Sequence, residues 1–470
     1  MQPVLNKTLE MLTEEVGLPG AVVALFENEK ITFIDKYGLA DKEAGREMTL
    51  NCSFDIASCS KAFTVMLAAQ AVDEGLIGWD QPIKDVFPEF EMYDKYAGEH
   101  LSIRDMASHR SGLPSHDFLR EKVGGSRRNL ALKCKYLEPN KGFRTKYEYN
   151  NHMFIVLGYV LELLYGKTWE ELVREKIAKP LGIKDIRFRG TGNWKEGLER
   201  ALPYLSDGHT TRLTGYADSE FSGPCGGIKL NLPDLLKWVM AMARGGVCED
   251  GTRLCSEQQY KEIITPVIPS PEEDAHRMQG SNYAMAWHTA VYNGQPIVLH
   301  SGGLAGFNTQ VGFFPGQNKG YAMIFNNGGN PASRIIRNMA LDTLTNGKPD
   351  DDYKWYLDEW RKSIDTSGEE AIRNSCKPLA AADYPDVPAL YVHPGYEECE
   401  IFEENGELRF EYGGLVARIY SRPSGELCAY ALGDTDMGYG ESLERIDVKF
   451  GENSVSINTG EIGTWVTFTK

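Results

Sequence analysis

Leu5, Leu9, Leu12 and Val16 recur at helical spacing and predict an amphipathic first helix over 1–17. Two β-rich runs follow, 21–27 and 31–37, and the Asn28-Glu29-Lys30 step between them predicts a hairpin. Helical spacing then takes over. The run 61–73 is apolar on a helical period and should stop near Gly75. The runs 103–108, 152–164 and 169–177 read the same way, with a break near Gly158 and a stop at Pro180-Leu181-Gly182. Extended character returns late, at 296–300, 307–314 and 321–325, and 332–344 predicts a closing helix. A sheet drawn from both ends of this stretch, with helices inserted between, is an α+β arrangement.

The pattern changes after Asn346. Lys348-Pro349-Asp350-Asp351-Asp352 is a linker-like charge run, 353–373 predicts a polar helix, and Asp383 to Pro388 is a second break. Beyond it lie short alternating runs and turns. Asn405-Gly406 between 400–402 and 408–412 is the strongest short hairpin signal, and Pro423-Ser424-Gly425 and Gly451-Glu452-Asn453 repeat it. These shifts divide the chain into 1–347, a linker with a polar helix over 348–388, and a small all-β, barrel-like domain over 389–470.

Composition narrows the partners. A chain of 470 residues suggests two or three domains, and shares of 42% hydrophobic and 25% charged residues fit an ordinary globular protein. A net charge of -17 argues against a nucleic-acid or anionic-membrane partner. The first helix lacks the pattern of a signal peptide, and the apolar run 153–164 carries Glu162 and is too short to span a bilayer. Nine cysteines, an odd number without CxxC spacing, read as reduced thiols and point to the cytoplasm. With no HExxH motif and no CxxC pair, neither a metal nor another cofactor is expected.

Three short motifs carry the chemistry. Ser58-Cys59-Ser60-Lys61 places a hydroxyl and an amine three residues apart, on one face of a helix expected to begin at Ser58. The positive field of a helix N-terminus disfavours the ammonium form of Lys61, so a neutral amine can take the Ser58 proton. An N-capping serine beside an unrelated lysine would look the same. Tyr149-Asn150-Asn151 offers a phenol able to protonate a leaving group, and Asn151 can orient the lysine or hold a substrate amide. A helix N-cap beside a packed tyrosine is the plainer reading. His300-Ser301-Gly302-Gly303 closes an apolar run, where glycines admit a substrate to the backbone and the Gly303 and Ser58 N–H groups could hold an oxyanion. A glycine-rich hairpin turn also explains those glycines.

Together with Ser102 to Pro114, which carries His109-Arg110-Ser111-Gly112-Leu113-Pro114, and with Gly223-Pro224-Cys225-Gly226-Gly227 before Pro233-Asp234-Leu235, these motifs resemble the serine β-lactamase and penicillin-binding protein superfamily. The likeness is to its class C β-lactamase-like esterase and D-aminopeptidase branch, over about residues 4 to 345. It implies an antiparallel sheet flanked by helices, an all-α lobe, and a site between them. It further implies Ser58 as the acylated nucleophile, Lys61 and Tyr149 as the proton-transfer pair, Asn151 as a polar site group, and His300, Ser301, Gly302 and Gly303 as the substrate-lining strand. The penicillin-recognising members carry lysine where this chain has His300, so a fixed charge for a substrate carboxylate is missing.

The expectation is a serine hydrolase acting on a small-molecule ester or amide through an acyl-enzyme. A D-amino-acid-type aminopeptidase, an acyltransferase and a catalytically inactive scaffold stand as alternatives, and self-association is left open. Irregular stretches at 115–146 and 204–222 are expected to frame the pocket or to be plain surface loops.

Overall fold

The computed structural model describes residues 2–116, 125–190, 199–206, 210–215, 220–271, 274, 276–304, 306–349, 353–365, 367–432, 445–459 and 465–470. Helix α1 (Gln2–Val16) leads into strands β1 (Gly20–Glu27), β2 (Lys30–Asp41) and β3 (Arg46–Glu47). Asn28 and Glu29 turn the first hairpin with φ of +51° and +65°. The all-α lobe is built around α2 (Lys61–Asp73) and α3 (Asn151–Tyr165), while α4 (Leu232–Ala243) packs on the sheet. The chain then returns to the sheet through β4 (Ile268–Pro269), β5 (Met278–Tyr283), β6 (His288–Tyr292), β7 (Gln295–Leu304), β8 (Phe307–Phe314) and β9 (Lys319–Phe325), and closes with α5 (Ala332–Asn346). The sheet order is β3-β2-β1-β9-β8-β7-β6-β5-β4, antiparallel between neighbours.

The run Ala21 to Phe26 is continuously apolar because both its faces are covered. Ala21, Val23 and Leu25 pack with Leu5, Leu9, Ile336 and Met339 of α1 and α5, whereas Val22, Ala24 and Phe26 join the core under the α lobe. Helix α2 is apolar on all sides because it runs through the middle of that lobe, buried from Lys61 to Ala71. It ends at Asp73, two residues before Gly75, whose φ is +72°.

Helix α3 passes straight through Gly158, contrary to the break expected there, and ends at Gly166 in the left-handed region. A side chain at Gly158 would run into the Pro224 ring, so this glycine serves close packing rather than termination. The polar helix expected over 353–373 is two helices, α6 (Lys354–Ser363) and α7 (Ser367–Ser375). Tyr356, Leu357 and Trp360 of α6 pack onto the layer made by α1 and α5.

Among the described residues, the short strand Lys377–Pro378 is followed by the eight strands of a barrel: β10 (Ala389–His393), β11 (Glu397–Glu404), β12 (Glu407–Tyr412), β13 (Leu415–Ser421), β14 (Leu427–Ala431), β15 (Ile446–Gly451), β16 (Ser454–Thr459) and β17 (Val466–Thr469). Each pairs with the next, and Val392 of β10 pairs with Thr469 of β17, which closes the barrel. Closure removes the free sheet edges that a chain of short strands would otherwise expose. Asn405 and Gly406, with φ of +55° and +80°, form the tight turn expected between β11 and β12. The barrel touches the α lobe through a hydrogen bond between the Tyr396 hydroxyl and His116, and through Glu397 and Lys133 at 3.0 Å. No helix among the described residues is long and apolar enough to cross a membrane.

Candidate active site

Ser58 does not begin a helix. It lies in a 3-10 turn, Ala57–Ser60, that hands over to α2 at Lys61. Ala57 has φ +46°, a strained value for a side-chain-bearing residue, and the turn is braced on both sides. The Ile56 N–H donates to Ile228 O at 3.0 Å, and the Ile228 N–H donates to Ser60 Oγ at 3.1 Å. Beneath the turn a buried ion cluster anchors the short strand Phe54–Asp55. Burial alone would raise the Asp55 carboxyl, but Arg189 at 2.8 Å and Lys229 outweigh it and hold the group below its ordinary value.

The three groups expected to act together meet at Ser58. Lys61 Nζ is 3.0 Å from Ser58 Oγ, and the Tyr149 hydroxyl donates to the same oxygen at 2.7 Å. Lys61 is fully buried, while Ser58 and Tyr149 are partly exposed, so the hydroxyl can be reached from solvent and the amine cannot. Nζ also donates to Asn151 Oδ1 at 2.6 Å and to the Cys225 carbonyl at 2.7 Å. Those two partners only accept, so two N–H bonds are committed to them. In a neutral amine the lone pair is then left facing Ser58 Oγ.

Asn150 is the N-cap of α3, with Oδ1 accepting from the Met153 N–H at 2.7 Å. Its amide also donates to Leu113 O at 3.2 Å and to Pro114 O, tying the 109–114 loop to the start of α3. The capping role suggested for this motif therefore falls to Asn150, which frees Asn151 to reach the lysine.

His300, Ser301, Gly302 and Gly303 lie within β7 and not in a turn. Pairing with β6 ends at Leu299, whereas pairing with β8 continues to Leu304, so among the described residues the last part of β7 is partnered on one edge only. That segment passes against the serine turn. Cys59 Sγ donates to His300 O at 3.7 Å, and a Cβ on Gly302 would collide with Ile56 O and sit 3.3 Å from the Ala57 Cβ. Gly302 is thus required by close approach of two backbones. A Gly302→Ala variant is expected to push β7 off the turn and lower kcat/KM by about 10²-fold without unfolding the protein, as steady-state kinetics and a thermal melt would report. Gly303 is exposed, and a Cβ there would meet nothing within 4 Å among the described residues. Ala305, also in the motif, lies outside the described residues.

The His300 side chain turns away from solvent. Nδ1 is 2.6 Å from Ser301 O, so it carries the proton, and Nε2 accepts from the Tyr283 hydroxyl at 2.9 Å. Burial, followed by the neighbouring His288 and Lys61, holds its pKa well below the usual value. This strand therefore presents no cation at neutral pH.

Sequence reasoning missed four contributors. Tyr283 and His288 come from β5 and β6, which alternate too weakly to be read as strands. The Cys225 carbonyl is a backbone group, for which residue type carries no signal. His109, within the 102–114 stretch, has no role that its spacing reveals, yet its Nδ1 accepts the Asn150 N–H at 3.0 Å. The stretches expected to frame the pocket are less irregular than they read. Residues 125–146 include the helix Arg127–Lys133, and 204–222 includes the paired strands Tyr204–Ser206 and Thr211–Leu213. Residues 117–124, 207–209 and 216–219 lie outside the described residues.

The Beta-lactamase family model matches residues 5–345. Unguisins hydrolase ungD' of Aspergillus campestris is 28% identical over 420 residues, covering 82% of this chain and 74% of that protein. Protein flp of Staphylococcus aureus is 23% identical over 330 residues, covering 69% of this chain and 63% of its own. The octameric penicillin-binding protein homologue from Pyrococcus abyssi superposes with a TM-score of 0.63 at 19% identity, over 100% of this chain and 99% of the other. A class C β-lactamase from Rhodobacter sphaeroides gives 0.57 at 19% identity, over 72% and 98%. The fold around the serine turn, and the extent of the family match across the α/β body, lead to one conclusion: this chain belongs to the Beta-lactamase family.

Proposed function

We propose that this protein is a serine hydrolase that forms an acyl-enzyme at Ser58 on ester or small amide substrates. One observation carries the reading: a partly exposed hydroxyl touched at once by a buried amine, at 3.0 Å, and a phenol, at 2.7 Å. Lys61 takes the Ser58 proton as Oγ bonds to the acyl carbon. The Ser58 and Gly303 N–H groups receive the oxyanion, each worth about 3–4 kcal/mol of transition-state stabilisation. Tyr149 protonates the leaving alcohol or amine as its bond breaks. Water, activated by the same pair, then releases the acid and restores Ser58. Another alcohol or amine in place of water would make the reaction an acyl transfer.

The domain reading keeps 1–347 as the hydrolase, 348–388 as a connector and 389–470 as an accessory barrel. The accessory barrel, which meets the α lobe where the Tyr396 hydroxyl bonds to His116, motivates a second reading, a peptidase for amides such as those of D-amino acids. Nine buried cysteines held outside disulfides support a reducing, cytoplasmic setting. The octameric neighbour makes self-association part of the proposal.

Steady-state kinetics on short p-nitrophenyl esters and D-alanine amides, each with and without an added carboxylate, test the specificity. Because His300 is neutral and turned inward, the carboxylate is expected to bring no gain in kcat/KM. A gain above about tenfold, worth some 1.4 kcal/mol, would contradict it.

A further inference from the structure

His109 takes no part in the steps above, yet it stands where two loops meet at the site. Its backbone is left-handed, with φ +56°, and its side chain is fully buried. Its carbonyl accepts the Glu148 N–H at 2.8 Å, and its Nδ1 accepts the Asn150 N–H at 3.0 Å. The ring packs against Tyr149 with centroids 4.3 Å apart and against Tyr283 at 4.8 Å. The N–H held by Nδ1 belongs to the peptide joining Tyr149 to Asn150. Tyr149 on one side of it reaches Ser58, and Asn151 on the other reaches Lys61. One hydrogen bond therefore locates the backbone from which both side chains depart.

The bond also fixes the tautomer. An imidazole that accepts at Nδ1 carries its single proton on Nε2. That Nε2 is buried without a hydrogen-bond partner among the described residues. A phenylalanine would fill the same space without leaving an N–H unpaired, so what histidine adds here is the Nδ1 acceptor. A second proton would have to sit on Nδ1, donor against donor with Asn150. Burial, then Lys61, His300 and His288, also keep the ring well below its usual pKa.

We infer that His109 is a positioning residue for acyl transfer, a permanently neutral acceptor that aims Tyr149 and Asn151 at Ser58 and Lys61. The inference rests on the serine-hydrolase reading. His109 touches no substrate and moves no proton.

The test compares His109→Asn with His109→Gly on a p-nitrophenyl ester, alongside thermal melts and the Ser58→Ala control. Asparagine and glycine both tolerate a left-handed backbone, and asparagine Oδ1 takes the place of Nδ1 while glycine supplies no acceptor. His109→Gly is expected to lower kcat by about 10²-fold with KM within about threefold, the signature of misplaced catalytic groups. His109→Asn should recover at least about tenfold of that loss, a rescue that a purely structural role would not produce. Wild-type kcat in folded His109→Gly, or no advantage of asparagine over glycine, overturns the inference. If His109→Gly does not fold, His109→Asn decides alone: a loss in kcat below about tenfold supports the inference and a larger one overturns it. A Ser58→Ala protein that still turns over would instead remove the hydrolase reading, whatever the His109 variants do.

Discussion

A Ser58→Ala protein is expected to lose about 10⁴- to 10⁶-fold in kcat on ester substrates, with its melting temperature within a few degrees of the parent. The size follows from chemistry: Oγ is the hydroxyl that Lys61 and Tyr149 both contact, so removing it leaves only binding and oxyanion stabilisation by backbone groups. The small effect on stability follows from the surroundings. Ser58 is partly exposed, and Lys61 keeps Asn151 Oδ1 and the Cys225 carbonyl as partners when the hydroxyl goes. Paired measurement of kcat and of unfolding separates the two, and a large loss of both would mean that the serine is structural.

Lys61→Met should cost about 10³-fold or more in kcat, and Lys61→Arg should be no better. Methionine fills the buried channel of the side chain but leaves Asn151 Oδ1 and Cys225 O without this donor, each a penalty of about 1–3 kcal/mol. A fall in melting temperature is therefore expected with methionine, unlike Ser58→Ala. Arginine restores a positive charge and N–H donors, but it cannot give up a proton near neutral pH. If Lys61 worked only as a fixed charge, arginine would rescue turnover. The account, in which the amine takes the Ser58 proton, requires that it does not, and single-turnover acylation rates on the two variants decide the point.

Much of the fold was legible because local signals agreed with tertiary demands. The apolar run 307–314 became β8 with the same bounds, and 61–73 became α2, closed by a glycine in the left-handed region. Asn405-Gly406 adopted the backbone that its residue types favour. Illegible parts depended on contacts made far away in sequence. Gly158 looked like a helix breaker, and only the Pro224 ring packed against it explains why the helix continues. β5 escaped notice because its pairing register with β6 shifts between Gln279 and Asn282, beside Gly280 with φ +64°. The serine turn read as a helix start because sequence cannot show Ala57 bent to φ +46° by strands on either side.

The site divides along the same line. Ser58, Lys61, Tyr149 and Asn151 were visible through the chemistry of their side chains and their spacing. Cys225 contributes a carbonyl, and Gly302 contributes the absence of a side chain beside Ile56 O. His109 and Tyr283 act by holding other groups, a function set by geometry that leaves no mark in residue spacing.

The central claim is that the hydroxyl shared by an amine and a phenol is where the acyl group is carried. Rapid acid quench of the protein during turnover of a p-nitrophenyl ester, followed by intact mass measurement and peptide mapping, reads this directly. The account predicts one added acyl mass, located on Ser58 and absent from Lys61→Met quenched at the same time. An adduct on any other residue, or steady turnover by a protein whose Ser58 never gains mass under conditions that trap the ester on a known acyl-enzyme, would contradict it.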